Sequence, residues 1–166
     1  MNRNRTKEGT ATFVYVTYIE TTPEKIWGAL TTDRDITRQY FLHEHFSDWK
    51  PGSRWEHRRA DGSGVVDIVG KVVESFAPRR LALTWVRPFE ADDETKYSRV
   101  TFDIEPQGTV VCLTVTHEDL EAGSEFHRHM VAGWPKVLSN LKTLLEIGHT
   151  LELDWGDLKR VGRWKV

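Results

Sequence analysis

Hydrophobic positions recur at every second residue through the middle of the chain and at every third or fourth residue near its end. Alternation puts side chains on one face of a strand, whereas steps of three and four put them on one face of a helix. The first segment, residues 11–20, is rich in Val, Thr and Tyr and predicts a strand. Thr22-Pro23 predicts a helix start: Thr caps, and Pro fits the first turn, where its missing N–H costs nothing. Ile26, Trp27 and Leu30 give that short helix its apolar face. Asp33 predicts the cap of a second short helix, with Ile36 and Tyr40 four apart on its buried side.

Strand signals then dominate. Pro51-Gly52 turns the chain before residues 54–60, and Asp61-Gly62-Ser63-Gly64 predicts a hairpin turn before residues 65–74. Leu81, Leu83 and Trp85 alternate after Pro78, and an acidic loop covers residues 88–96. Val100, Phe102 and Ile104 alternate next, then a turn at Pro106-Gln107-Gly108, then Val111, Leu113, Val115 and His117. Short turns between successive strands make the sheet antiparallel. From Phe126 the period changes: Phe126, Met130, Trp134, Val137, Leu138, Leu141, Leu144 and Leu145 form the stripe of a long amphipathic helix, with Gly148 as its C-cap. Pro135 lies within that stretch and predicts a kink or a restart near Gly133-Trp134.

The order strand, two short helices, strands, long helix makes an α+β fold. Its sheet, curved and antiparallel, has about six to seven strands and wraps the C-terminal helix. One domain over residues 11–148 lies between a flexible N-terminus (1–10) and a tail (149–166) whose Leu151, Leu153, Trp155 and Trp164 set no clear period.

Length and composition narrow the partners. A chain of 166 residues fits one domain and buries a core without disulfide or metal. A net charge of −2 gives no basic footprint for nucleic acid. No run approaches the ~18 apolar residues of a membrane span, so no membrane partner is expected. The first ten residues hold no apolar signal core, which predicts a cytoplasmic protein. Cys112, the single cysteine, sits in an apolar alternating run and predicts a buried, inert thiol.

Five segments carry a family resemblance: residues 23–32 (PEKIWGALTT), 49–52 (WKPG), 78–85 (PRRLALTW), 113–118 (LTVTHE) and 133–141 (GWPKVLSNL). In number, order and spacing they resemble the START-like, helix-grip (SRPBCC) superfamily, and within it the homologues of the activator of the ninety-kilodalton heat-shock chaperone ATPase. The resemblance covers residues 13–148; Tyr40 departs from it, where many relatives carry Trp before Phe41. It implies a helix-grip fold with a pocket between sheet and C-terminal helix. Such folds host unrelated activities, and relatives include lipid and hormone carriers, polyketide cyclases, self-sacrificing resistance proteins and chaperone activators.

Among the candidate residues, His117 shares a strand face with Leu113 and Val115 and stands at the edge of any concave pocket, placed to orient a ligand or move a proton. Trp55 and His57 share one strand face, Trp85 shares its face with Leu83, and Tyr97 begins the next strand. Phe126 and Met130 stand four apart on the covering helix. These seven are the expected ligand-binding residues, since small-molecule sites are mostly apolar with a few placed polar groups. His43-Glu44-His45 is read as a solvated loop after a helix end, without an identifiable third metal ligand; no metal or cofactor is expected. The Gly62-Ser63-Gly64 turn is too short for a nucleophile elbow. The expected function is binding of a small apolar or aromatic molecule. The alternatives are a cyclase or hydrolase using His117 as acid or base, and modulation of a chaperone ATPase by protein contact. A homodimer through exposed sheet edges is open.

Overall fold

Among the described residues, one antiparallel sheet of seven strands forms the body of the protein; the last strand of the chain lies beside the first, and the order then runs back through the chain to the second at the far edge. The computed structural model describes residues 8–155. Residues 1–7 of the expected flexible N-terminus, and 156–166 of the tail with Trp164, lie outside the described residues. The strands are β1 (Thr10–Ile19), β2 (His43–Ser47), β3 (Arg54–Arg59), β4 (Val66–Phe76), β5 (Arg80–Trp85), β6 (Ser98–Gln107) and β7 (Val110–Glu121). Two short helices, α1 (Pro23–Leu30) and α2 (Arg34–Phe41), carry the chain from one edge strand, β1, to the other, β2. The long helix α3 (Glu125–Ile147) follows β7 and meets β1, β7 and α2. The fold is the expected α+β helix-grip: a curved sheet around a C-terminal helix.

The caps are those the residue types dictate. Thr22 Oγ1 accepts from Lys25 N at 3.3 Å, Asp33 Oδ1 from Ile36 N at 3.3 Å, and Ser124 Oγ from His127 N at 3.0 Å. Gly148 closes α3 in the left-handed region at φ 84°, its N–H donating to Leu144 O at 2.9 Å, a conformation that costs glycine little.

Two expectations are corrected. First, of the kink or restart expected near Gly133-Trp134, the restart is absent: α3 runs as one helix through Pro135. Proline deprives one carbonyl, that of Val131, of its intrahelical donor, and Val131 lies at an exposed turn of the helix. Second, residues 43–47 are a strand, not a solvated loop. Leu42 at φ 59° ends α2 and redirects the chain at once into β2, which pairs antiparallel with β3. Alternation then turns His43 and His45 inward together.

The core lies between sheet and helices, from Ile26, Leu30 and Tyr40 through Leu83, Phe102 and Val115 to Trp134, Leu138 and Leu141. Tyr40 is buried, its hydroxyl donating to Ala29 O at 2.8 Å, and this ties α2 to α1. Burial pushes that phenol well above its ordinary pKa. Cys112 is buried and free, as expected.

Candidate functional site

Trp85, the last residue of β5, stands at the centre of a buried group of rings. Its indole lies 5.0 Å from that of Trp55, 5.7 Å from the His57 ring, 5.7 Å from His117 and 5.6 Å from Trp134, measured between centroids. All five side chains are at most 2 % exposed. Two hydrogen-bonded histidine systems meet at this indole.

The first is built on His117. The Trp134 indole N–H, which can only donate, gives a hydrogen bond to His117 Nδ1 at 3.0 Å. His117 therefore carries its proton on Nε2 and donates it to Ser98 Oγ at 2.8 Å. The Ser98 hydroxyl in turn donates to the Trp85 carbonyl at 2.8 Å. Strand register sets this up, since Trp85 pairs with Ser98 across β5 and β6. Burial above all, then the neighbouring charge of His127, pushes the His117 pKa down to about 3. His117 is a neutral imidazole with both nitrogens engaged by the protein.

The second system joins β2, β3 and β4. His45 Nδ1 donates to Leu30 O at 2.7 Å, which leaves His45 Nε2 to accept from His57 Nδ1 at 2.9 Å. Burial first, and then the charge His43 carries when doubly protonated, outweigh the Leu30 bond and lower the His45 pKa to about 4. Burial and its histidine neighbours hold His57 well below the usual imidazole value. The His43 ring stacks on His57 at 3.8 Å. Both His43 nitrogens face oxygens: Nδ1 the Phe41 carbonyl at 2.9 Å, Nε2 the Asp67 carboxylate at 2.7 Å. Asp67 also accepts two hydrogen bonds from Arg59, at 2.8 and 2.9 Å.

Of the seven expected residues, Trp55, His57, Trp85, His117 and Phe126 are joined by ring contacts. Phe126 is half-buried, 6.4 Å edge-on from His117, with the Arg87 guanidinium 5.1 Å from its centre. Met130 is buried in the core on α3. Tyr97 is used differently: its hydroxyl donates to Ala91 O at 2.8 Å and pins the 88–96 segment, which forms two short 3₁₀ turns.

The sequence reading missed His43 and His45, placed in a loop, and the roles of Phe41, Ser98, Asp67 and Arg59. Its usable signal was the His-x-His spacing, which puts both imidazoles on one face of a strand. Among the described residues no group of three or more His, Cys, Asp or Glu side chains is arranged to hold a metal ion. Trp85 Nε1, buried, has no hydrogen-bond partner among the described residues.

A family model described as Activator of Hsp90 ATPase homolog 1-like protein matches residues 20–146, well over half of the chain. The chain belongs to this family. Solved structures similar to it include the Aha1 dimer from Colwellia psychrerythraea, 24% identical, with a TM-score of 0.68 over 83% of this chain and 98% of that one. An HSP90 activator from Plasmodium falciparum is 22% identical, with a TM-score of 0.62 over 81% of this chain and 95% of that one. A conserved protein of unknown function from Enterococcus faecalis is 20% identical, with a TM-score of 0.70 over 98% of this chain and 91% of that one. At these identities the neighbours establish the shared helix-grip fold of this Aha1-like chain. No curated protein matches it. No helix among the described residues is long and apolar enough to cross a membrane.

Proposed function

We propose that this Aha1-like protein binds a small, largely apolar or aromatic molecule between the curved sheet and α3. The observation that carries this reading is the Trp85 indole N–H, buried without an acceptor among the described residues. A buried polar group costs about 1–3 kcal/mol when unsatisfied, so native interiors leave few of them. An acceptor on a ligand, set among the Trp55, His57, His117 and Trp134 rings, meets the requirement of small-molecule sites for an apolar wall with a placed polar group. Phe126 and Met130 on α3 complete the proposed lining. His117 serves as wall and not as acid or base, because Trp134 and Ser98 already occupy both its nitrogens.

The test is a thermal-shift screen against apolar and aromatic metabolites. A ligand selective for the folded state adds about 2.7 kcal/mol of stability at a hundredfold excess over Kd. A hit that disappears in a folded Met130→Ala variant supports the reading; silence across a chemically broad set rejects it.

A second reading is favoured by the family description and by the Plasmodium falciparum neighbour: modulation of a chaperone ATPase through protein contact. ATP turnover by a purified ninety-kilodalton chaperone, with and without this protein, decides it; an unchanged rate ends it. The Colwellia psychrerythraea relative is a dimer, and a second copy of this chain is the corresponding proposed partner, to be read from light scattering in solution.

A further inference from the structure

We infer that residues 87–97, between β5 and β6, form a hinged flap that opens as one body and uncovers the Trp85 end of the buried ring group. The inference goes beyond the binding reading above and is tested without a ligand.

The segment is bonded to itself. Pro88 opens its first 3₁₀ turn, and Asp93 caps the second by accepting from Thr95 N at 3.0 Å. The N–H groups of Glu90, Ala91, Asp93, Lys96 and Tyr97 donate in turn to the carbonyls of Arg87, Pro88, Glu90, Asp93 and Glu94, all inside the segment. Side chains repeat the pattern. The Arg87 guanidinium donates twice to Glu90, at 2.8 and 2.9 Å, and the Tyr97 hydroxyl donates to Ala91 O at 2.8 Å.

The body of the protein grips the two ends. Val86 and Val69 exchange two hydrogen bonds, at 3.0 and 2.9 Å, and Ser98 Oγ donates to the Trp85 carbonyl at 2.8 Å. The hinges therefore fall at Arg87 and Tyr97, where the backbone is extended on either side of the 3₁₀ turns. Between them, two side-chain contacts cross to the β7–α3 junction. The Arg87 guanidinium lies 5.1 Å from the centre of Phe126, and Lys96 Nζ donates to Glu121 at 3.2 Å. Contacts of both kinds are weak near solvent. No residue of the segment is buried, and even Phe89 is 73% exposed. The other walls are held more firmly: β5, β6 and β7 are paired on both sides, and α3 is anchored by Trp134, Leu138 and Leu141. Elements with few buried apolar contacts open first.

The five central rings are at most 2% exposed, so a wall must move before anything reaches them. From the surface inward run Arg87, Phe126, His117 and Trp85, at successive separations of 5.1, 6.4 and 5.7 Å. Lifting the segment takes the guanidinium off Phe126 and leaves that half-buried ring as the cover of His117.

Hydrogen exchange at the indole N–H groups of the whole protein, read from ¹H–¹⁵N spectra, tests the flap. Arg87→Met and Lys96→Met each remove one crossing contact. In each variant the Trp85 and Trp134 indoles are expected to exchange about three- to fivefold faster, the effect of losing one such contact. The Trp55 indole, held by Thr84 O, keeps its wild-type rate. Lys96 is exposed, so its variant carries the test if Arg87→Met does not fold. Equal acceleration of all three indoles reports global destabilisation and overturns the flap, as does no acceleration in either variant. Faster exchange confined to the amides of residues 126–130 also overturns it, because the end of α3 then moves instead. A failed flap leaves the binding reading standing, and a silent ligand screen leaves the flap standing.

Discussion

Gly70 pairs with Trp55 across β4 and β3, and the Trp55 indole crosses over it to reach Thr84 on β5. The Trp55 N–H donates to the Thr84 carbonyl at 2.8 Å. A β-carbon at Gly70 would lie 1.9 Å from that same oxygen and 2.7 Å from Trp55 Nε1. Backbone oxygen cannot yield as a flexible side chain does, so Gly70→Ala forces the indole and two strands apart. The expected cost exceeds about 3 kcal/mol, combining overpacking with a lost buried hydrogen bond. Gly28→Ala is the contrast: its β-carbon meets only Asp33 Cβ at 3.6 Å, and alanine in a helix gains about 1 kcal/mol over glycine. Urea unfolding of both variants checks this, and equal stabilities would refute the close approach.

Acid sensitivity follows from the buried imidazoles. The folded-state pKa values of His45, about 4, and His117, about 3, lie below the ordinary 6.5, and His57 is depressed as well. The unfolded chain therefore binds protons first as pH falls. The stability held by these neutral rings is complete above about pH 6.5 and is lost progressively below it, toward the folded values. Each such histidine contributes a slope of about 1.4 kcal/mol per pH unit within its window. His117→Gln is expected to remove one such increment from the slope between pH 6 and 5, whatever it does to stability at pH 7.5. An unaltered slope in the variant means that His117 is not the buried neutral base described.

Much of the fold was legible because local chemistry and long-range packing agree. Thr22-Pro23, Asp33 and Gly148 bound their helices, and alternation from Val111 to His117 set the inward face of β7. The pairing of Trp55 with His57 on one face was legible for the same reason. His43 and His45 were not, because a five-residue strand without β-branched residues has the composition of a loop. What makes it a strand lies elsewhere: the partner β3 and the oxygens of Leu30, Phe41 and Asp67 that its histidines face. Hydrogen-bond direction depends on atoms brought together from β2, β3 and the end of α1. No sequence spacing encodes that.

The Asp67 carboxylate separates buried from exposed ion pairing in one molecule. Its side chain is 2% exposed and serves Arg59 and His43 together. Asp67→Asn removes the negative charge while leaving Arg59 in a largely dry site, at an expected cost of about 3–5 kcal/mol. Glu74, which pairs with Arg80 at 2.6 Å nearer solvent, is worth about 1 kcal/mol or less when replaced by Gln. Guanidinium unfolding is unsuited here because its salt screens both pairs; urea at low ionic strength resolves them. Equal losses in the two variants would contradict the burial of Asp67.

Asn140 on α3 ties the start of the tail to the end of α2. Its Nδ2 donates to Tyr40 O at 3.3 Å and its Oδ1 accepts from Leu151 N at 2.8 Å, with the residue 2% exposed. Asn140→Leu keeps the volume and leaves both backbone groups unpaired, so about 2 kcal/mol or more of stability is expected to go. The more specific readout is local. Leu151 N–H has its acceptor on this one side chain, so its hydrogen exchange should accelerate by more than the global loss accounts for. Lys136 reaches the same segment through Asp154 O at 2.7 Å, but from an exposed position, and Lys136→Met should leave Leu151 exchange near the wild-type rate. If Lys136→Met frees Leu151 as much as Asn140→Leu does, the segment is held by its surface contacts, and the buried amide is not its anchor.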